Sequence, residues 1–416
     1  MKKISFLICA ALVVVCFGCA ISHSAGSTAK KPAAAKTKTA KKAAKAPAGP
    51  ALNANKQFYK DEGAHFELPY EQWVAHGRLI GPDGKPFYFA SVFHKTGEQF
   101  MQARNGYNAL RLPDGKYDYR SYGQGMIRTL ASNLLKDKAK KYPDVAAFRE
   151  LGEKLVTGDS LHFETLPDNA YPLYRGRLYM KFGQNLFERV SENQFLYKLD
   201  LETWAGPLKL NLKSAKDPIY FDGKTPMVIM SGPGKAGFIG MLQGYAFPRM
   251  AAAGTVELDG KTVGVKGDVW FEHWMGRPDG AAMANFVMIE QRLSDGGDLF
   301  IAMFYDAAGN LKNTHMLIRK AAAQDFQYSK KISLSPIRDW TSPFTFTVYN
   351  IGWKLKGIVN GTVEAEAGAE NSEIMIDQGI GGFWLGPCRF KGKIDGMGEV
   401  TGEGFCRSVS SVEKKP

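Results

Sequence analysis

The stretch GTVELDGKTVGVKGDVWFEHWMG, residues 254–276, decides how the chain is read. Asp259-Gly260 supplies the positive φ that a tight hairpin turn needs, and the flanking runs are rich in Val, Thr and aromatic residues, so two antiparallel strands are predicted. Along the second strand, successive side chains point to opposite faces. Lys266, Asp268, Trp270, Glu272 and Trp274 then share one face, and Val265, Gly267, Val269, Phe271 and His273 share the other. Either the second face is the core and the Trp and Glu row lies outside, or a barrel encloses a cavity and that row lines it. The indoles favour burial; Lys266 disfavours it. An earlier segment, YEQWVAHGRLIG from residue 70, repeats the ambiguity, with Glu71 and Trp73 on one face and His76 and Arg78 on the other.

The same punctuation recurs along the chain. GPDGK at 81, LPDGK at 112, SDGGD at 294, VNGT at 359 and KIDGMGE at 393 each separate runs rich in Phe, Tyr, Val, Ile and Leu. Many antiparallel strands at short spacing predict an all-β sandwich or barrel. One segment departs from this pattern: Ile127, Leu130 and Leu134, then Val145, Phe148, Leu151 and Leu155, recur at helical spacing. Two helices inserted at about 124–158 are predicted, broken at Tyr142-Pro143 because a residue before proline avoids the helical region. They would lie over a barrel mouth or cover a sheet edge.

The net charge of +13 invites a nucleic-acid partner until its location is considered. Ten lysines and no acid fall in residues 1–56, which leaves +3 on the rest, so a basic groove for phosphates has little support. MKKISFLICAALVVVCFGCA reads as an export signal, residues 1–25, with cleavage near Ala25 or, since FGC resembles a bacterial lipobox, lipidation at Cys19. Cys16 stands where such boxes carry an aliphatic residue, and Ala20 after Cys19 resembles outer-membrane sorting. The expected location is therefore the periplasm or the outer membrane. Residues 26–56, rich in Ala, Lys, Pro and Thr, have too few large apolar side chains to offset ordering entropy, and read as a solvated linker.

Beyond the leader the cysteines are Cys388 and Cys406. Their midpoint falls at Met397, so a hairpin turning at Gly396-Met397-Gly398 would set them directly opposite, and an oxidising compartment would permit a disulfide. GPGKAG at 232–237 matches a dinucleotide fingerprint with Glu257 about twenty residues on, but the segment beyond it reads as a hairpin rather than a crossover helix. No His-Glu-x-x-His, Walker or Gly-x-Ser-x-Gly motif occurs, and the seven histidines show no metal-ligand spacing. No cofactor and no metal are expected.

In their order and spacing, the remaining motifs resemble the AttH and carotenoid 1,2-hydratase group of lipocalin-like proteins, which includes kievitone hydratase and fungal decalin-forming cyclases. EQWVAHGRL resembles the group's opening E-W-W-Y-x-x-G-x-L, with Glu71, Trp73, Gly77 and Leu79 matching and Val74 in place of tyrosine; SVFHK places His94 where an arginine is usual. LKLNLKSAKDPIYFDG resembles the strand before a glycine loop. YAFPRM carries Tyr245, Pro248, Arg249 and Met250 of Y-x-x-P-R-M. WFEHWMG resembles W-x-D-H-E-W-G through Trp270, His273 and Gly276, with Glu272 for Asp and Trp274 for Glu. FWLGPC resembles the closing Y-W-E-G through Trp384, with Leu385 for Glu. The resemblance covers residues 57–416 and implies two consecutive lipocalin-like antiparallel β-barrels, 57–278 with the helical insertion and 279–416.

Three functions are compatible with these residues. One is an exported protein binding a hydrophobic small molecule, an isoprenoid, lipid or polyketide, in a barrel or interdomain pocket walled by Trp270, Trp274, Trp73 and Trp384, with Glu71, Tyr245 and Arg249 as its polar contacts. The alternative implied by the resemblance is a hydratase or cyclase acting on an isoprenoid or polyketide alkene. Glu272 would then be the acid, its pKa raised among indoles, and His273 or His94 the base if a bulge turned it inward. The third is a structural envelope lipoprotein, tethered to a membrane through Cys19.

Overall fold

A computed structural model describes residues 62–414 except 98–101, 147, 151–152, 154–162, 215, 222–226, 231–239, 279–283, 322–325 and 376–381. The leader, Cys19, the linker and GPGKAG lie outside the described residues.

The chain is nearly all β. The first sheet comprises β1 Tyr70–Ile80, β2 Pro86–Thr96, β3 Ala103–Arg111, β4 Tyr117–Gly123, β5 Phe163–Thr165, β6 Tyr179–Phe182, β7 Asn185–Arg189, β8 Leu196–Glu202, β9 Pro207–Ser214, β10 Ile219–Tyr220, β11 Met227–Met230, β12 Gly240–Leu258 and β13 Lys261–Arg277. Its order is β5-β4-β3-β2-β1-β13-β12-β9-β8-β7-β6, with β10 and β11 also paired to β12. The second comprises β14 Asn285–Leu293, β15 Asp298–Tyr305, β16 Leu311–Arg319, β17 Phe326–Ser329, β18 Ile332–Thr341, β19 Val348–Gly357, β20 Val359–Ala365, β21 Glu373–Met375, β22 Gly382–Ile394 and β23 Gly398–Val409. Its order is β17-β16-β15-β14-β23-β22-β20-β19-β18, with β21 beside β22. Each sheet curls into a half-barrel.

The Asp-Gly reading of the opening stretch holds: Asp259 and Gly260 both have positive φ, 49° and 73°, and Leu258 pairs with Lys261 across them. This is the backbone twist that suits two right-handed strands.

One helix, α1, spans Gly125–Lys141 and stops at Tyr142, before Pro143. Lys138, Lys140 and Lys141 occupy its last turn, where cations complement the helix dipole. It lies against β3 and β5 at the end of the first sheet and reaches across to the second, where Lys138 donates to the Thr345 carbonyl at 2.6 Å and pairs with Glu413 at 3.2 Å. Residues 146, 148–150 and 153 are also helical, and Phe148 packs edge-on against Phe346 at 5.4 Å.

Both faces of the central strands are buried. Inside the first barrel, Trp73, Phe93, Phe187, Tyr197, Tyr245, Phe247, Phe271 and Met275 share a core. Inside the second, Ile289, Ile301, Tyr349, Trp353, Trp384 and Phe390 share another. The outer faces then pack against each other: Trp270 and Trp274 meet Phe286, Met288, Phe300 and Phe304, and farther along Val74, Val92 and Tyr107 meet Ile374, Leu385 and Phe405. The Trp and Glu row of β13 is therefore on the outside of its own barrel and inside the protein, because the second barrel covers it.

Candidate active site

The inward face of β1 and β13 carries a charged cluster within the aromatic core. Glu71 and His273 are fully buried, and His273 Nε2 lies 3.1 Å from Glu71 Oε1. His65 Nδ1 reaches the same oxygen at 2.8 Å, and the His65 backbone N–H donates to both carboxylate oxygens at 3.0 Å. Lys95, on the inward face of β2, places Nζ 3.5 Å from Glu71 Oε2 and donates to the carbonyls of His65 and Leu68. Burial alone would raise the Glu71 carboxyl; the hydrogen bonds from His273 and His65, with the charge of Lys95, outweigh it and bring the pKa down to about 2. Glu71 is thus ionised at neutral pH.

Burial pushes the His273 pKa below its ordinary value, against the pull of Glu71. The neutral ring donates from Nε2 to the carboxylate, which leaves the Nδ1 lone pair facing the Tyr245 hydroxyl at 3.3 Å. Trp73 stacks on the other side of this imidazole, with centroids 4.6 Å apart. Burial, reinforced by the charge of Glu62, holds Tyr245 well above a phenol's usual pKa, so it stays protonated. Glu62, buried in the same barrel, pairs with Arg189 and accepts from Tyr197 at 2.6 Å; burial lifts its pKa to about 7 against both partners. The cluster reaches solvent through His65, whose side chain is 25% exposed.

His65, Glu71 and His273 offer three donor atoms within 4.8 Å, a set of the kind that holds zinc. Here both imidazoles are spent on one carboxylate oxygen, and the Lys95 ammonium already supplies positive charge beside the other.

The outward face carries a second network, across the seam between the barrels. Arg407 of β23 bonds Glu272, Glu290 at 3.2 Å and the Gln72 amide oxygen at 3.2 Å, and His76 contacts Glu290. All four charged or titratable side chains are buried. Burial raises Glu272 to about 7 against Arg407, with Glu290 adding to the rise, and burial lowers His76 to about 3, so the histidine is neutral.

Several expectations are corrected by this geometry. Glu272 and His273 face opposite sides of β13 with no bulge between them, so they cannot act as acid and base on one substrate atom. His94 lies on the outer face, across Gln72 from Trp274, and meets Tyr70 edge-on at 5.2 Å. Trp270 and Trp274 do not wall an open pocket: Trp274 stacks on Phe221 at 3.9 Å and Trp270 on Phe300 at 6.4 Å. Trp384 is second-barrel core, its Nε1 donating to the Glu370 carbonyl at 2.7 Å.

Arg249 sits at a bulge between Phe247 and Met250, both of which point inward; the extra residue, tolerated with Pro248 at a bulge, turns Arg249 outward. There it binds Asp298 at 2.7 Å and the carbonyls of Leu293 and Gly297, tying the barrels together.

The cysteines are also displaced from the expected register. The last hairpin turns one residue earlier than its midpoint suggests, pairing Cys388 with Gly404 and Cys406 with Gly386, and both cysteines are buried free thiols.

Of the sequence candidates, the structure brings together Glu71, Trp73, Tyr245 and His273. It adds His65, Lys95, Glu62, Arg189 and Tyr197, which no motif singled out. The inward alternation of Lys95 with Phe93 on β2 was the one available signal, since a lysine on a core face must be paired.

Two curled half-barrel sheets in an almost all-β chain place the protein in the lipocalin-like class. A family model described as AttH-like matches residues 165–406, and the chain belongs to that family. Solved structures share the fold, two of them as follows. A protein of Nitrosomonas europaea assigned to AttH is 20% identical, with a TM-score of 0.66 over 85% of this chain and 97% of its own. Kievitone hydratase from Nectria haematococca is 13% identical, with a TM-score of 0.60 over 85% and 93%. A comparison with curated protein sequences found no significant match.

Proposed function

We propose that this protein is an exported acid–base enzyme that removes water from, or adds it to, a hydrophobic unsaturated small molecule held in the first barrel. The observation that carries the reading is the Glu71–His273–Tyr245 chain: an ionised carboxylate, a neutral imidazole whose Nδ1 faces a hydroxyl, and a phenol that is protonated at rest. The carboxylate fixes the tautomer and would stabilise the imidazolium that forms, the logic of a carboxylate–histidine–hydroxyl triad.

In dehydration, the phenol passes its proton to His273 Nδ1 and takes one from the substrate carbon beside the departing hydroxyl. As the C–O bond breaks, the proton returns from Nδ1 to the phenolate and the phenol's proton goes to the leaving hydroxide. Water, a double bond and the starting site remain; hydration is the reverse. The aromatic side chains around Tyr245 suit an apolar substrate, and a solved neighbour in the fold is itself named a hydratase. Export would follow from the leader, with tethering through Cys19.

The test is to incubate the protein in ¹⁸O-labelled water with a solvent extract of the cells that make it, and to search extracted small molecules for label in a new hydroxyl. Wild type should incorporate label, and Glu71→Gln and Tyr245→Phe should lose it by roughly 10²–10⁴ in rate, the usual contribution of a positioned acid or base. A bound small molecule recovered unlabelled would make the protein a carrier instead.

A further inference from the structure

Toward solvent, the seam between the barrels opens into a cavity of about 290 Å³. It continues the charged row of the seam: Arg78 follows His76 by two residues on β1, Arg292 follows Glu290 by two on β14, and Asp268 precedes Trp270 by two on β13. Three guanidinium groups line it, those of Arg78, Arg249 and Arg292, against the carboxylates of Asp268 and Glu403.

The positive groups are poorly satisfied. Arg292 buries Nη1 with no hydrogen-bond partner, and Arg78 does the same with Nε. The nearest acid to Arg78 is Glu403 at 3.7 Å, itself half exposed. Arg249 has committed two of its three nitrogens to Asp298, Leu293 and Gly297. Burial lowers the Arg292 pKa, Asp268 opposes this, and the charges of Arg249 and Arg78 add to the lowering. Leaving a buried donor unmade costs more than a hydrogen bond returns, and a charged acceptor is the partner that relieves both the unmet donor and the repulsion.

We propose that this cleft binds a compact oxyanion, a phosphate or carboxylate group, held by Arg292 and Arg78 with Arg249 behind them. The cavity is at the small end of ligand pockets and is bordered by charge rather than by aromatic side chains, so it takes an anionic head group and not an apolar body. It lies on the opposite face of β1 from Glu71 and seven residues along the strand, about 23 Å away at the usual rise, and it stands apart from the acid–base site.

Isothermal titration of the protein with inorganic phosphate, with acetate and with glycerol 3-phosphate, against chloride at matched ionic strength, tests this. Phosphate or acetate should bind saturably and chloride should not. A tighter constant for glycerol 3-phosphate assigns the site to the head of a larger molecule, and an equal one to a free anion. Arg292→Gln should weaken binding at least about tenfold, as loss of a charge-assisted pair does.

Asp268→Asn removes an exposed competing carboxylate and should tighten binding about two- to fivefold, a gain that misfolding cannot produce. Heat released by phosphate no different from chloride, or affinity unchanged in both variants, overturns the proposal.

Discussion

Replacing Arg407 with methionine removes the one side chain that bonds Glu272, Glu290 and Gln72 across the seam, and leaves two buried carboxyl groups facing each other. Breaking a buried pair by removing one partner costs about 3–5 kcal/mol, because the remaining charge has lost its solvent and its counter-ion. Here the carboxyls have an escape: they can take up protons.

Burial raises both carboxyls and Arg407 lowers both, so its loss moves the pair toward the protonated form. Without Arg407 both carboxyls must be protonated, so the folded variant carries about one proton more than wild type. Its deficit should therefore grow by about 1.4 kcal/mol per pH unit, from about 1–2 kcal/mol at pH 5 to about 3–5 kcal/mol at pH 7. Urea unfolding followed by tryptophan fluorescence at pH 5, 6 and 7 measures this slope directly. Adding Glu272→Gln and Glu290→Gln to the same chain should flatten it. A loss under about 1 kcal/mol, level across that range, would mean that water reaches the carboxylates, and the account of a dry seam would fail.

Three further outcomes are expected. The Glu71 carboxyl, lowered from 4.5 to about 2, stabilises the fold above pH 4.5, and that stability is lost as pH falls toward 2; the shift amounts to about 3 kcal/mol, and Glu71→Gln should erase this acid limb in a series of thermal melts. Trp274→Ala, which empties the space against Phe221 and Phe300, should cost about 3–5 kcal/mol in denaturant unfolding, whereas an indole lining an open pocket would cost under about 1. Thiol titration of the unfolded, unreduced protein freed of its leader should find both Cys388 and Cys406; finding neither would mean that the two buried thiols join after all.

Much of this protein is written locally. Asp259-Gly260 needs only its own backbone to turn, and Tyr142-Pro143 ends α1 by a clash between neighbours. These are contacts over a few residues, so sequence alone determined the strands, their hairpins and the helix stop.

Inside and outside were another matter. Alternation sorts β13 into two faces, but it names the core face only when the other meets water; here Phe271 faces one apolar core and Trp270 another, and the pattern loses its sign. Arg249 sits outward because a bulge shifts parity by one residue, and Cys388 and Cys406 stand diagonally rather than directly opposite, their thiols in hydrogen-bond contact, because the turn falls one residue early. His273 meets Glu71 across 202 positions, and Arg407 meets Glu272 across 135. No spacing encodes such pairs: they form because closing each barrel and packing the two back to back strips water from Glu71, Glu272 and Glu290, so each of these takes the partner that the tertiary fold delivers.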